Sequence, residues 1–169
     1  NKLREKLKIK AVSTAAEHMQ CIETAGLVRF VSILSDNPAR QAVNPRKVYA
    51  VDTALAAAVS TAETVDRNKL FETMLFNHLC RESRSVCYTN EQGGCDFIAS
   101  DAEGGVRCIQ ACYDDDPDLM QTKTDGLLWA LRQTGSSRGT IVTADRNDRI
   151  DAENFEIEVI DADTFLGGY

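Results

Sequence analysis

The sequence feature that most constrains the fold is a pair of short strand-like runs near the middle of the chain. A short loop with two adjacent glycines joins them. The runs are Cys95–Ala99 and Val106–Tyr113, and the loop is Asp101–Gly105. Alternating runs around a glycine-containing loop predict a β-hairpin. Side chains alternate between the two faces of a strand, so Asp96 is expected beside Gln110 on one face of the hairpin.

A helix is predicted before this hairpin, at residues 67–80, and it carries a carboxylate within its apolar stripe. Helical periodicity places Glu72 among the residues that face the core. Such a carboxylate must be paired, protonated or bound to a metal, because burying an isolated charge is unfavourable. Alternatively, Glu72 lies at the edge of the apolar stripe and forms an ion pair with Arg67 or Arg81. The alternative for Asp96 is a strand-entry residue that binds turn amides.

The remaining patterns predict a mixed α/β (α+β) fold with the order helix, three strands, helix, strand. The second helix is expected to begin at Asp116 and Pro117, since an acidic cap followed by proline is typical of a helix start. The predicted elements are a helix at 67–80, strands at 85–89, 95–99 and 106–113, a helix at 117–133, strands at 140–143 and 156–160, and a short helix through residue 165.

This order, with a glutamate on the first helix and an aspartate on the second strand, resembles the PD-(D/E)xK nuclease-like superfamily. Local sequence is similar, more narrowly, to the C-terminal domain of unknown function of many prokaryotic AAA-type ATPases. The similar stretches are Val43–Asp52, Leu70–Phe76, Gly94–Phe97 and Ile109–Asp114. The resemblance spans about residues 12–165. It implies a restriction-endonuclease-like core over 53–169, preceded by a partial winged helix over 1–52.

The resemblance also implies roles for individual residues. Glu72, Asp96 and Gln110 occupy the positions that hold a divalent cation, here Mg²⁺, through oxygen ligands. Cys112 occupies the position of a lysine that orients the attacking water. Gln110 offers only a neutral oxygen and Cys112 carries no positive charge, so this catalytic set is predicted to be degenerate. Lys123 is the candidate for a displaced catalytic lysine, and the alternative is that it extends along a solvated face.

The cysteines are predicted to be reduced core thiols, since most stand where a small apolar residue would serve and none forms a C-x-x-C pair. Two alternatives remain for them. One is a zinc site that uses some of the cysteines with His78, and the other is a nucleophilic Cys112 activated by His18 or His78. The six cysteines are Cys21, Cys80, Cys87, Cys95, Cys108 and Cys112.

Charge is distributed unevenly along the chain. Residues 1–50 contain nine Lys or Arg and four Asp or Glu, a net charge of about +5, whereas the remainder carries about −12. Five of the cations fall within residues 1–10, before a helix that is expected to start in a capping box at Thr14–Glu17. Strands are predicted at 27–31 and 47–51, with a turn at 35–39. This basic segment is predicted to bind DNA weakly.

Together these features predict a non-catalytic or degenerate nuclease-like module that serves nucleic-acid or protein binding and regulation. This sequence contains no G-x-x-x-x-G-K-[S/T] loop, so ATP is expected to bind elsewhere in the protein. The expected partner of the module is an ATPase domain of the same protein, N-terminal to Asn1, that binds this ATP. The alternatives are an active metal-dependent DNA nuclease and a structural module for homo-oligomer contacts. With no apolar run of membrane-spanning length and no signal segment, the expected location is the cytoplasm and no membrane contact is expected.

Overall fold

The computed structural model describes residues 8, 11–60, 64, 66–114, 116–152 and 154–167. Its helices and strands form the mixed α/β architecture expected from the sequence. The helices are α1 (Val12–Thr24), α2 (Pro38–Val43), α3 (Thr53–Val59), α4 (Arg67–Glu82), α5 (Pro117–Thr134) and α6 (Ala162–Gly167). The strands are β1 (Val28–Val31), β2 (Lys47–Ala50), β3 (Ser85–Thr89), β4 (Cys95–Ser100), β5 (Val106–Cys112), β6 (Arg138–Thr143), β7 (Asp148–Ala152) and β8 (Phe155–Asp161).

The central sheet has six strands in the order β3-β4-β5-β6-β8-β7. Strands β3, β4 and β5 are antiparallel neighbours, and the register of β4 and β5 pairs Phe97 with Ile109. Strands β5, β6 and β8 are parallel, which requires the crossover that α5 supplies between β5 and β6. The predicted order helix, three strands, helix, strand is confirmed by α4, β3, β4, β5, α5 and β6.

Two hydrophobic clusters cover the two faces of this sheet. On one face α4 buries Leu75 and Leu79 completely, together with Phe97 of β4. On the other face α5 buries Leu127 and Leu131 completely. Fully burying each of these side chains stabilises the fold by roughly 1.5–3 kcal/mol relative to leaving it exposed. The sheet therefore has helices on both faces, and β4 and β5 lie between α4 and α5.

The ends of α5 follow the sequence signals that predicted them. The side chain of Asp116 accepts a hydrogen bond from the amide of Asp118, and Pro117 occupies the first turn. Gly135 ends the helix with a φ of 71°, a conformation that favours glycine. In the middle of the helix, a Cβ atom at Gly126 would overlap the carbonyl oxygen of Gly94, so α5 lies directly against the turn before β4.

The N-terminal strands form a separate two-stranded sheet that packs on the same core. Strands β1 and β2 are antiparallel, as predicted, and Val31 and Tyr49 belong to the cluster beneath α4. Residues from both sides of the predicted boundary at position 52 therefore share one hydrophobic core. Between the two strands, the predicted turn at 35–39 is wrong in part, because Asn37 caps α2 from Pro38 onward.

Two further expectations about local structure need correction. The predicted capping box at Thr14–Glu17 is wrong, since α1 already begins at Val12 and has no side-chain cap. Strand β7 was not predicted. It lies at one end of the central sheet, and its charged residues make ion pairs such as Arg149 with Asp151. At the opposite end β3 is flanked by the segment around Ile33, which forms a parallel bridge with Tyr88.

Among the described residues, no helix combines the length and the apolar character needed to cross a membrane. The longest of the described helices, α5, has 18 residues. Exposed charged side chains such as Asp118, Asp125 and Arg132 are distributed along it. One face of α5 is buried against the sheet and the charged positions occupy the remainder, which is the pattern of a helix at the surface of a globular domain.

Candidate functional site

Glu72 and Asp96 approach each other at the place where α4 crosses the N-terminal end of β4. Glu72 lies in the middle of α4, and its side chain is 21% exposed. Asp96 follows Gly94 and Cys95 at the start of β4, and its side chain is 11% exposed. The two carboxylates share a partner, because the ammonium group of Lys47 lies 2.8 Å from Glu72 Oε1 and 2.9 Å from Asp96 Oδ1.

Strand β2 supplies two polar side chains to this cluster. Lys47 and Tyr49 are two residues apart, so they project from the same face of the strand. The hydroxyl of Tyr49 donates to Glu72 Oε1 at 2.5 Å, while its ring stacks on Phe76 at a centroid separation of 4.3 Å. Lys47 also lies 5.3 Å from the ring centroid of Tyr88. A cation beside Glu72 was expected, and it is Lys47 rather than the predicted Arg67 or Arg81.

A second lysine reaches Asp96 from the opposite side of the sheet. Lys123 of α5 places its ammonium group 2.5 Å from Asp96 Oδ2, and the backbone amide of Ala111 donates to the same oxygen at 3.1 Å. The side chain of Lys123 is only 21% exposed, so the alternative of a solvated position is wrong. Two carboxylates and two ammonium groups form this cluster, and their formal charges balance.

The charge arrangement shifts the pKa of three of these groups. Burial disfavours the ionised form of Asp96, but the ammonium groups of Lys123 and Lys47 outweigh this effect and lower the pKa of its carboxyl group. Burial also opposes ionisation of Lys47, yet the carboxylates of Asp96 and Glu72 raise its pKa above 10.5. For Tyr49, burial and then the nearby Glu72 carboxylate raise the pKa of the hydroxyl, which keeps it a hydrogen-bond donor.

Gln110 lies next to Asp96 but is engaged with backbone groups. Its side chain is fully buried, and its carbonyl oxygen accepts a hydrogen bond from the amide of Asp96 at 3.0 Å. Its amide nitrogen donates to the carbonyl oxygens of Gly94 at 2.7 Å and of Lys123 at 3.0 Å. Both NH₂ donors are therefore used. Gln110 links β5, β4, the turn before β4 and α5, and so fixes the backbone from which Lys123 reaches Asp96.

Cys112 is buried on the face of β5 that α5 covers. It is 2% exposed, belongs to the apolar cluster that includes Leu127, and donates from its thiol to the carbonyl of Asp114 at 3.4 Å. Cys95 and Cys108 are also buried, as predicted for core thiols, whereas Cys80 and Cys87 are half-buried and the prediction is wrong for Cys21, which is exposed. All six cysteines lack disulfide bonds. Burial raises the pKa of the Cys87 thiol to about 11, so it is protonated at neutral pH.

The described part of the chain contains no group of three or more His, Cys, Asp or Glu side chains that could hold a metal ion. His78, the histidine considered for a zinc site, lies 3.2 Å from Glu82 and contacts the ring of Phe165. A cation between Glu72 and Asp96 would have two carboxylates as ligands, and Lys47 already lies between them.

The structure brings together part of the predicted site and adds to it. Glu72 and Asp96 converge as expected, and Gln110 is adjacent to Asp96. Lys47 and Tyr49 were overlooked as site residues, although their spacing of two on a predicted strand indicated that they share a face. No protein-family model, curated protein or solved structure matches the chain.

Replacing Gln110 with glutamate should destabilise the protein rather than create a metal ligand. A carboxylate cannot donate to the carbonyls of Gly94 and Lys123, and a buried, unpaired charge is strongly unfavourable. We expect Gln110→Glu to lose at least about 3 kcal/mol of unfolding free energy in urea titrations. The exposed change Gln20→Glu should stay within about 0.5 kcal/mol of the wild type. A stable Gln110→Glu protein with increased Mn²⁺ affinity would contradict this expectation.

The charge cluster should give stability a defined pH dependence. The pKa of Asp96 is lowered from 3.8 on folding, so its stabilisation is present above about pH 3.8 and disappears as pH falls through the folded value. The pKa of Lys47 is raised from 10.5, so its stabilisation is present below about pH 10.5 and disappears as pH rises further.

The wild type should therefore exceed Asp96→Asn in stability by roughly 3–5 kcal/mol at neutral pH. The difference should remain nearly constant toward moderately acidic pH and shrink below about pH 3.8, because the carboxyl group is protonated first in the unfolded state and, at still lower pH, in the folded state. Urea unfolding of both proteins at a series of pH values measures this difference, and titrating groups that do not interact with Asp96 cancel. A difference that persists undiminished at the lowest pH would show that the carboxylate charge is not its source.

Proposed function

We propose that this chain is a restriction-endonuclease-like module with a degenerate catalytic centre, preceded by a partial winged helix. The observation that carries the proposal is the position of Lys47 between Glu72 and Asp96, 2.8 and 2.9 Å from their carboxylate oxygens. A divalent metal in a nuclease of this type would require these two carboxylates. The lysine supplies a positive charge in the same place without providing a site for a water nucleophile.

The position of Gln110 supports the same proposal. The glutamine oxygen accepts a hydrogen bond from the amide of Asp96, and both donors of its amide group contact carbonyl oxygens. To contribute a third oxygen ligand, the side chain would have to reorganise within a fully buried environment. The role we infer is binding and regulation, in the cytoplasm, as the C-terminal part of an ATP-binding AAA-type ATPase.

Removing the ammonium group of Lys47 tests the degenerate centre directly. Wild-type protein should show little Mg²⁺- or Mn²⁺-dependent cleavage of DNA and little Mn²⁺ binding by calorimetry. Lys47→Met should bind Mn²⁺ at least about tenfold more tightly, because Glu72 and Asp96 become available as hard oxygen ligands. That gain should vanish when Glu72→Gln is added.

Lys69→Met is the matched control for this experiment. Lys69 lies near Glu72 on α4, but its side chain is 80% exposed and, among the described residues, it forms an ion pair only with Asp66, at 3.6 Å. Mn²⁺ affinity should be the same in Lys69→Met and the wild type. If wild-type protein binds Mn²⁺ as tightly as Lys47→Met does, or cleaves DNA efficiently, the degenerate centre is refuted.

An active metal-dependent nuclease is the second candidate, and the position of Lys123 favours it. Its ammonium group lies 2.5 Å from Asp96 Oδ2, where it could take the role of the lysine that the family carries at the position of Cys112. In that case a metal would displace Lys47, and Lys123 would stabilise the charge that develops on the phosphate. Divalent-metal-dependent cleavage that is lost in both Lys123→Met and Asp96→Asn would establish this function.

Nucleic-acid binding is proposed for the basic N-terminal segment. Lys2, Arg4, Lys6 and Lys10 lie outside the described residues, and Lys8 is exposed. Cationic side chains bind phosphate by releasing counterions, whereas the acidic remainder of the chain repels DNA. Homo-oligomer contacts, the remaining alternative, stay a prediction.

Duplex DNA should bind weakly, with an affinity that falls steeply as salt is raised. If all five cations contact phosphate, raising salt from about 50 to 200 mM should weaken binding by at most roughly 500-fold. Fluorescence anisotropy of labelled DNA measures this dependence. Exchanging the five cations for glutamine should abolish most of the affinity while preserving chain length. Affinity that survives this exchange would assign the binding surface to another part of the protein.

A further inference from the structure

A cleft of about 340 Å³ opens on the α5 side of the sheet, away from Glu72. Its apolar surface includes Ile98 of β4 and Val106 of β5, and Trp129 of α5 also lines it. The segment around Leu34 and the start of α2 form another part of its lining. Its volume lies at the lower end of the roughly 300–1,000 Å³ typical of small-molecule sites.

Several polar side chains lining this cleft have hydrogen-bonding capacity to spare. Asn90 and Gln133 are exposed, Ser100 is half-buried, and the side chains of these three residues make no hydrogen bond with any other described residue. The half-buried indole of Trp129 likewise makes none within the described chain. The cleft therefore combines apolar side chains, which can cover a ring, with amide and hydroxyl groups that can bind the polar edge of a ligand.

The charges at the cleft determine which ligands it can accept. Arg40 forms an ion pair with Glu91, and Asp36 adds a second carboxylate, so these three residues carry a net charge of −1. An anionic ligand would be repelled. Asn90 and Gln133 can each donate and accept hydrogen bonds, which suits a neutral ring with both donors and acceptors on its edge.

We propose that this cleft binds an uncharged planar heterocycle of the nucleobase type, as a free nucleoside. The ring stacks on the indole of Trp129, and its edge forms hydrogen bonds with the side-chain amides of Asn90 and Gln133. Aromatic stacking combined with amide hydrogen bonds is a common way for proteins to hold an unpaired base. The proposal is independent of the Glu72–Asp96 cluster and of the function proposed for it.

The chain's single tryptophan makes the cleft directly observable. Adenosine is the probe, and tryptophan-selective fluorescence of the whole protein should be quenched saturably as adenosine is added. Asn90→Ala and Gln133→Ala should each weaken binding about three- to tenfold, the effect expected for one hydrogen bond. Because both residues are exposed, neither change should impair folding. Gln20→Ala, an exposed change on α1, should leave adenosine binding unchanged.

A second titration distinguishes a free nucleoside from a base within a single strand. Oligodeoxyadenylate carries the same ring with a negative backbone, so the net negative charge at the cleft should make it bind more weakly than adenosine. Tighter binding of the oligonucleotide would overturn the assignment to a free nucleoside. Absence of saturable quenching by adenosine, or quenching that both alanine variants retain at full affinity, would overturn the site itself.

Discussion

The ammonium group of Lys47 joins three parts of the structure that are far apart in sequence. It connects strand β2 with Glu72 on α4 and with Asp96 on β4. Without this cation, two partly buried carboxylates would face each other, and the loss of one member of such a network is strongly destabilising. Tyr49 strengthens the same junction through Glu72. The neutrality of the polar cluster therefore depends on Lys47, which also contributes to the docking of the N-terminal sheet together with the buried side chains of Val31 and Tyr49.

Most of the central fold could be predicted because its local signals agree with one another. Helices α4 and α5 are long enough for their apolar periodicity to be unambiguous, and Asp116 and Gly135 mark the two ends of α5. The hairpin of β4 and β5 follows from alternation around a glycine-containing loop. Short elements were harder. Helix α2 has six residues and β7 has five, so neither element is long enough to show a complete hydrophobic pattern.

The polar site could be predicted only in part. Glu72 and Asp96 were recognisable because a carboxylate among apolar residues requires a partner. The identity of that partner was not local information, since Lys47 is separated by 25 residues from Glu72 and by 49 from Asp96. The role of Gln110 was equally inaccessible, because a sequence does not state which backbone groups a buried amide will meet. Tertiary packing determined both outcomes.

The two edge strands of the central sheet limit one route by which copies of this protein can associate. An uncovered edge strand offers free amides and carbonyls to any extended chain, and this is a common route to aggregation. Here β7 presents charged side chains, including Asp148, which pairs with Arg146 just before the strand. At the other end the amide of Leu34 donates to the carbonyl oxygen of Tyr88 at 2.7 Å. Strand addition is thereby disfavoured at these positions of the central sheet, and an association through side-chain surfaces would leave the sheet at six strands.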